Sequence, residues 1–472
     1  MAMTKESAPE KKILIVAFSL IKQYPKKQLE DICVNQKQSY ICSPYDWIHL
    51  SWKPHHVLRR LVKKRDNNNQ TSEEGWATAT KLKNYIQNQL GIKSSVIEPN
   101  GFYYFLFPLT LFWALTKWKA IRANLLGQRT NIYIEGIEST GYFLDSLMRY
   151  NSEFRIENEA SWKNVSTSIV TLAKFKIYFS WFKKNSRKNR CDEILINHNV
   201  YLESGWLASF MHEMYRAKII HYKHILLSPT ELIYPRDRWL NQVINGQSIH
   251  FDRNDTYNVS NAEFQTPIIE PSTKQLPWFD SKSIANLNNN KPLKINCKKY
   301  LIVMHAFTDA NNIHEIYGEE PLFPSYYHWI KETLKIAQNN PNFDYVFRIH
   351  PGTFKFYPKD IGIIQKLFST QKDNITLEDP RESNSFNPDE ELPIVVTYQG
   401  SITLECSMIG YKTINLGFPA SPVGSYIKPQ SLTEYINLLS NMQNPRKFVM
   451  EKPTIMEAQI WKQKLIESFH SK

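Results

Sequence analysis

The sequence predicts an α/β protein of two domains, on three observations. Short runs rich in Ile, Leu and Val alternate with stretches of helical periodicity, the pattern of parallel sheets flanked by helices. The 472 residues are too many for one typical hydrophobic core. Between about 250 and 298 the alternation gives way to Asp, Asn, Ser and Pro, with Asn288, Asn289 and Asn290 in a row, a composition that reads as a linker.

In chain order, 12–18 (KILIVAF) is a continuous apolar run of the kind buried in a parallel sheet. Residues 54–65 read as a basic helix, broken by the asparagines at 67–69, and 78–90 are helical again. Residues 131–136 (NIYIEG) read as a strand closed by a turn, with a helix over 140–150. A strand at 193–197, a helix over 203–215 and a strand at 218–222 follow. Beyond the linker come a strand at 300–305, a helix over 326–338 and a strand at 344–350. Further strands are expected at 374–377, 393–397 and 413–416. Ser431 and Glu434 have capping-box spacing at the start of a helix, and a last helix spans 455–469.

Composition narrows the function. Hydrophobic residues at 42% and aromatics at 13% exclude a generally disordered chain. The five cysteines (33, 42, 191, 297 and 406) form no CxxC pair, so neither a disulfide framework nor a zinc site is indicated; a reducing compartment fits. The N-terminal MAMTKESAPEKK lacks the apolar core of a signal peptide, and the expected location is the cytoplasm. A net charge of +13 suggests a polyanionic partner. Nucleic acid is disfavoured, because the basic residues form no known recognition motif and the aromatics lie in apolar runs.

Two stretches stand apart. Residues 102–116 (FYYFLFPLTLFWALT) carry no charge and contain Pro108; residues 170–190 mix aromatics with lysines and end in a basic cluster. The first is short of a membrane span, which needs about 20 apolar residues. Two readings stand: core helices with a solvated charged tail, or an interfacial anchor at the inner face of the cytoplasmic membrane, with Lys and Arg on anionic lipid.

The candidate chemistry lies at strand ends. Residues 345–354 (YVFRIHPGTF) end an apolar strand on Arg348, His350 and Pro351. In a strand Arg348 and His350 share a face, and Pro351 stops the ladder. Two donors then sit at the C-terminal edge, where open α/β sheets bind ligands. The alternative is a structural histidine beside a turn proline. About 50 residues later 393–397 (PIVVT) runs into Tyr398-Gln399-Gly400-Ser401 and then Thr403 and Glu405. Gly400 suits a tight strand-to-helix turn, Ser401 an N-cap, and the helix start an anion. Glu405, one turn further, suits ribose hydroxyls; its alternative is an exposed glutamate that steadies the first turn. His305, ending the 300–305 strand, faces the same edge or is structural. In the first half Glu135 and Glu138 follow one predicted strand, and His198 and Glu203 another. Carboxylates here suit deprotonation of an acceptor hydroxyl or attack on an anomeric carbon, against an ordinary helix-start role.

The stretches FRIHPG (347–352) and VVTYQGSITLECSMIGYKTINLG (395–417) resemble the donor domain of GT-B glycosyltransferases. More narrowly they resemble the HP-motif transferases of bacterial capsule and surface-polysaccharide synthesis: Kdo-transferase, bacterial sialyltransferase and teichoic-acid polymerase relatives. The resemblance covers about the last 170 residues. It implies two Rossmann-like domains facing a central cleft, with acceptor binding in 1–250, a linker at 251–297, a nucleotide-sugar domain at 298–450, and a helix at 451–472 crossing back. It implies that His350 and Pro351 lie against the nucleotide phosphate, that Gly400, Ser401 and Thr403 approach phosphate, and that Glu405 faces the ribose. Residues 133–136 loosely resemble the acidic motif of the sialyltransferases, with Ile134 where an acidic residue stands, and 197–205 resemble a His/Tyr/Gly segment of the same group. The implied reaction moves a sugar from a nucleotide donor to a surface polysaccharide or lipid-linked glycan. A CMP-activated acidic sugar such as Kdo is favoured as the donor, with a UDP-sugar next. No metal or other cofactor is expected, since the chain has no Asp-x-Asp pair. The alternatives are a polyol-phosphate transferase of CDP-glycerol type, a UDP-sugar 2-epimerase and a non-catalytic capsule-assembly protein.

Overall fold

The computed structural model describes residues 11–16, 33, 36–44, 47–48, 52, 76–128, 130–150, 156, 160–188, 190–196, 201–221, 294–309, 321–350, 353, 357–378, 391–398, 400, 402–408, 410–417, 421, 424–442, 444–451 and 458. The expected helix at 54–65, the linker over 251–293, and the helix over 455–469 except Ala458 lie outside them. So do His198, Pro351 and Ser401. The chain divides into two compact units, residues 1–235 and 236–472.

In the first unit β1 (Lys11–Val16), β2 (Gln36–Cys42) and β3 (Lys93–Val96) precede a small hairpin, β4 (Tyr133–Ile134) and β5 (Ile137–Glu138); β6 (Glu193–Ile196) and β7 (Lys218–His221) follow. The main sheet runs β3-β2-β1-β6-β7, every neighbouring pair parallel. Counted within that sheet, the order is 3-2-1-4-5, the doubly wound arrangement. Ile13, Ile15, Ile41 and Leu195 on one face pack with Ala79, Leu82 and Ile86 of α1 (Trp76–Gln89). Within 131–136, expected as a strand closed by a turn, β4 and its turn pair antiparallel with β5 in a hairpin apart from the main sheet. Its turn is Glu135-Gly136, with φ of +54° and +94°, the positive pair that a tight hairpin turn requires.

After β3 a 3₁₀ turn (Gly101–Leu106) leads into α2 (Phe107–Leu115) and α3 (Trp118–Leu125). Pro108 does not interrupt this apolar stretch; it stands in the first turn of α2, where a missing N–H costs nothing. Next come α4 (Thr140–Tyr150), the 25-residue α5 (Trp162–Ser186) and α6 (Leu202–Tyr215). Phe175, Tyr178, Phe179, Trp181 and Phe182 of α5 are buried. The aromatic residues of 170–190 are therefore core, not an interfacial face.

In the second unit β8 (Ile295–Val303), β9 (Asp344–Arg348), β10 (Ile375–Glu378), β11 (Leu392–Thr397), β12 (Thr413–Asn415) and β13 (Tyr426–Ile427) form one parallel sheet in the order β10-β9-β8-β11-β12-β13. Counted within the sheet this is 3-2-1-4-5-6, which reverses direction between β8 and β11. The helices are α7 (Tyr326–Asn339), α8 (Pro358–Leu367), α9 (Ile402–Met408) and α10 (Leu432–Ser440). β8 begins inside the stretch expected as linker. Pro393 sits at a register shift of β11 against β8, the place where a sheet tolerates a residue without an N–H. The Tyr411 hydroxyl closes the gap, donating to the Pro393 carbonyl and accepting from Val395 N–H at 3.1 Å. Ser431 caps α10, accepting from Glu434 N–H at 3.1 Å.

Candidate functional site

Three strands of the second unit end beside its switch point, and the residues after them meet. His305 stands two residues beyond β8 and His350 two beyond β9. Their rings stack with centroids 5.3 Å apart, and Tyr326, at the start of α7, stacks on His305 at 4.3 Å. Tyr398, just after β11, meets Tyr326 edge-on at 5.1 Å and donates to the Phe323 carbonyl at 3.3 Å. Tyr326 and Tyr398 are fully buried. The result is a column of four rings from four segments of chain. The sequence placed His305 at this edge but offered no sign of Tyr326 or of the stack.

Electrostatics alter the expectation that this edge delivers cations. Desolvation, reinforced by the neighbouring His305, pushes the His350 imidazole down to about 4, against a smaller opposing effect of Asp309. Desolvation also lowers His305, opposed by Asp309. Both rings are therefore neutral near pH 7 and offer hydrogen bonds rather than charge. Arg348 is engaged in an ion pair. Nε and Nη2 both donate to Glu378 Oε2, at 2.8 and 2.6 Å. The cause is register: Arg348 of β9 lies directly opposite Glu378 of β10, and opposite charges at such a position pair.

Two buried polar atoms in this region, Nδ1 of His305 and Oγ1 of Thr353, meet no hydrogen-bond partner among the described residues. Thr353 N–H donates to the His350 carbonyl at 2.9 Å, and the His305 ring stacks on that of His350. Such atoms are normally satisfied by protein, water or a polar guest. Asp360, in the first turn of α8, is fully buried and accepts from the Thr308 hydroxyl at 2.9 Å and its N–H at 3.3 Å. It ties the loop after β8 to α8. Desolvation raises its carboxyl to about 6 despite those bonds. No sequence motif marks it.

On the other side of the switch point Gly400 lies between β11 and α9 in the chain. Gly400 has φ of +140°, a conformation open chiefly to glycine. Thr403, expected to approach phosphate, stands in the first turn of α9. It is fully buried, and its hydroxyl accepts from Asn415 Nδ2 at 2.8 Å and Thr413 Oγ1 at 3.1 Å, so it faces β12. Replacing Thr403 by valine is accordingly expected to cost about 1–2 kcal/mol by stranding the Asn415 amide. Nucleotide affinity is expected to stay unchanged; urea unfolding and a binding titration check both. Glu405 is only 5% exposed, so it is not an ordinary solvated helix-start glutamate. α9 has seven residues, too few for a large dipole at its start.

The candidates of the first unit separate by environment. Glu138 accepts from Thr140 N–H at 2.9 Å and so holds the start of α4. Glu203 is fully buried and accepts from the Ser146 hydroxyl at 2.8 Å; that same hydroxyl accepts from Leu202 N–H at 2.8 Å. Glu135 differs. At the hairpin turn its carboxylate pairs with Lys176, accepts from Ser180 Oγ at 2.6 Å and lies 3.3 Å from Lys183 Nζ. Burial works against its charge, but the bonds from Lys176, Ser180 and Lys183 outweigh it and hold the carboxyl below the usual range. Lys183, expected in a free basic cluster, is thus partly committed to Glu135.

The fold defines the class as an α/β protein with two doubly wound parallel sheets. No protein-family model matches the chain, and no curated protein does. Among solved structures, the UDP-GlcNAc 2-epimerase of Methanocaldococcus jannaschii, in complex with UDP-GlcNAc and UDP, shares 13% identity over 62% of this chain and 81% of its own, with a TM-score of 0.24. A UDP-glucose:anthocyanidin 3-O-glucosyltransferase in complex with UDP shares 10% identity over 97% and 94%, with a TM-score of 0.25. Likenesses that weak carry no argument about activity.

Proposed function

We propose that the chain is a glycosyltransferase of GT-B type, whose second unit binds a nucleotide-activated sugar and whose first unit binds the acceptor. One observation supports this above the rest. His305 and His350 stack at the C-terminal edge of a 3-2-1-4-5-6 sheet, beside its switch point, and Gly400 follows β11, the strand next to β8, the usual ligand position in this architecture. The sequence resemblance assigns the phosphate and ribose of the donor to the same segments. With both imidazoles neutral, the phosphate is held by N–H donors and backbone rather than by a charged pair. Glu405 takes the ribose from its buried position. On the acceptor side Glu135 is the described candidate whose carboxylate is neither spent on a helix start nor sealed in the core. Its low proton affinity suits electrostatic or nucleophilic work better than proton abstraction. A CMP-activated acidic sugar such as Kdo is the first donor to test and a UDP-sugar the second; a surface polysaccharide or lipid-linked glycan is the acceptor.

Thermal-shift measurements with CMP, UDP, CDP and GDP test the reading. One nucleotide is expected to raise the melting temperature, because a ligand bound only to the folded state stabilises it by mass action. His350→Ala and Glu405→Ala are each expected to lose most of that shift. A response to CMP points to an acidic sugar and a response to CDP to polyol-phosphate transfer. No response to any of the four sinks the proposal, and an undiminished response in both variants moves the site elsewhere.

A further inference from the structure

The stretch from Gly101 to Leu126 leaves a ridge of large apolar side chains in solvent. Phe102 and Phe105 are each 65% exposed, Leu109 71% and Phe112 73%. Their spacing of three, four and three residues sets them along one side of the helical run. Leu115, Trp118 and Leu126 extend the exposed set into and beyond α3. The opposite side is spent on the core: Tyr104 is buried and stacks on Trp47 at 5.6 Å, and Ala114 and Ile121 are buried. α2 is apolar all round, so packing one side does not exhaust its apolar surface. An exposed patch of this kind on a soluble fold marks an interaction site.

Charge selects the occupant. No acidic residue occurs between Glu98 and Glu135, while Lys117, Lys119, Arg122 and Arg129 all fall in that interval. Lys119 and Arg122 are exposed, and the Lys119 ammonium lies 5.9 Å from the ring of the half-exposed Trp118. Phenylalanines and leucines for the acyl boundary, a tryptophan at headgroup level and cations without a compensating anion make an anionic lipid surface the complement. No helix among the described residues is long and apolar enough to cross a membrane, so the ridge would lie in the interface plane.

We propose that Gly101 to Leu126 docks onto an anionic bilayer surface, with Phe102, Phe105, Leu109 and Phe112 entering the acyl boundary and Lys119 and Arg122 on the headgroups. The inner side of α2 reaches the Glu135 cluster, because the Lys176 ammonium that pairs with Glu135 also lies 5.0 Å from the Trp113 ring centroid. The Glu135 cluster thus lies behind the helix that carries the ridge. The readout needs no substrate, so its outcome is independent of the donor site.

The test is flotation of the full chain with phosphatidylcholine vesicles, with and without phosphatidylglycerol. The wild type is expected to float with the anionic vesicles and to be released by high salt. A Phe105→Ser, Leu109→Ser, Phe112→Ser triple variant is expected to bind at least about tenfold less. Because these residues are exposed, its near-ultraviolet circular dichroism is expected to match the wild type. A Lys119→Gln, Arg122→Gln variant, which leaves the apolar ridge intact, is expected to lose the preference for anionic vesicles. Three results overturn the proposal: no flotation of the wild type, equal flotation of the triple variant, or indifference to phosphatidylglycerol. Failure to float together with a dimer that the triple variant abolishes assigns the ridge to a second copy of the chain and overturns it as well.

Discussion

Replacing Trp206 by alanine is expected to destabilise the first unit by about 3–5 kcal/mol, the range for emptying a large aromatic site. Trp206 is fully buried on α6 and stacks between Phe179 of α5 at 4.0 Å and Phe210 one turn along at 4.9 Å. Its indole N–H donates to the Ile134 carbonyl at 2.9 Å, so the same residue fastens the hairpin that carries Glu135. A Trp206→Phe variant separates the two roles. It keeps most of the stack but loses the hydrogen bond to the Ile134 carbonyl, and is expected to cost about 1–2 kcal/mol. Urea unfolding checks both values, with the two units followed as separate transitions, since a chain of this kind need not unfold in one step. A loss below about 1 kcal/mol for alanine would mean that the stack collapses around the gap.

The sequence exposed elements wherever burial and β-branching coincide. The runs at 12–16, 193–196, 300–303 and 393–397 lie in parallel strands whose buried residues are mostly Ile, Leu and Val, with Glu193, Tyr300 and Thr397 among them. It hid β2 and β3, because their interior positions include serines. Ser39 and Ser94 are buried and bond each other at 2.5 Å, so each hydroxyl supplies the partner that water would have given. The hairpin was hidden by its turn. Asn-Gly or Asp-Gly announces positive φ at two successive residues, whereas Glu135-Gly136 reads as a carboxylate at a strand tip. α8 was hidden by Pro358, a terminator in the reading of a sequence and here a helix start.

At the candidate site the histidines and the glycine turn were legible, because strand-end position alone fixes where they go. What was not legible depends on cross-strand neighbours. Arg348 looks like a free cation until β10 sets Glu378 opposite it. Thr403 looks like a phosphate ligand until Asn415, twelve residues on, takes its hydroxyl. Neutrality of His350 is likewise a property of the packed rings and not of the motif.

That neutrality has a measurable consequence for stability, and Asp360 supplies its counterpart. The His350 folded-state value of about 4 lies below the ordinary 6.5. Its contribution is complete above pH 6.5 and is lost as pH falls toward 4, because the unfolded chain takes up the proton first. Asp360 runs the other way. Its value of about 6 lies above 3.8, so its contribution is complete below 3.8 and is lost as pH rises through 6. Between pH 7 and about 4.5 the two effects oppose each other, and the wild type conceals both. Single variants uncover them. On acidification across that window His350→Gln is expected to gain about 2 kcal/mol relative to the wild type, and Asp360→Asn to lose about as much. The measurement is the difference in unfolding free energy at the two pH values. If both variants share the wild-type slope, His350 and Asp360 titrate normally in the folded protein. The imidazole at this edge would then be free to charge when an anion arrives, and phosphate binding through a neutral pair would have to be replaced by binding through an imidazolium.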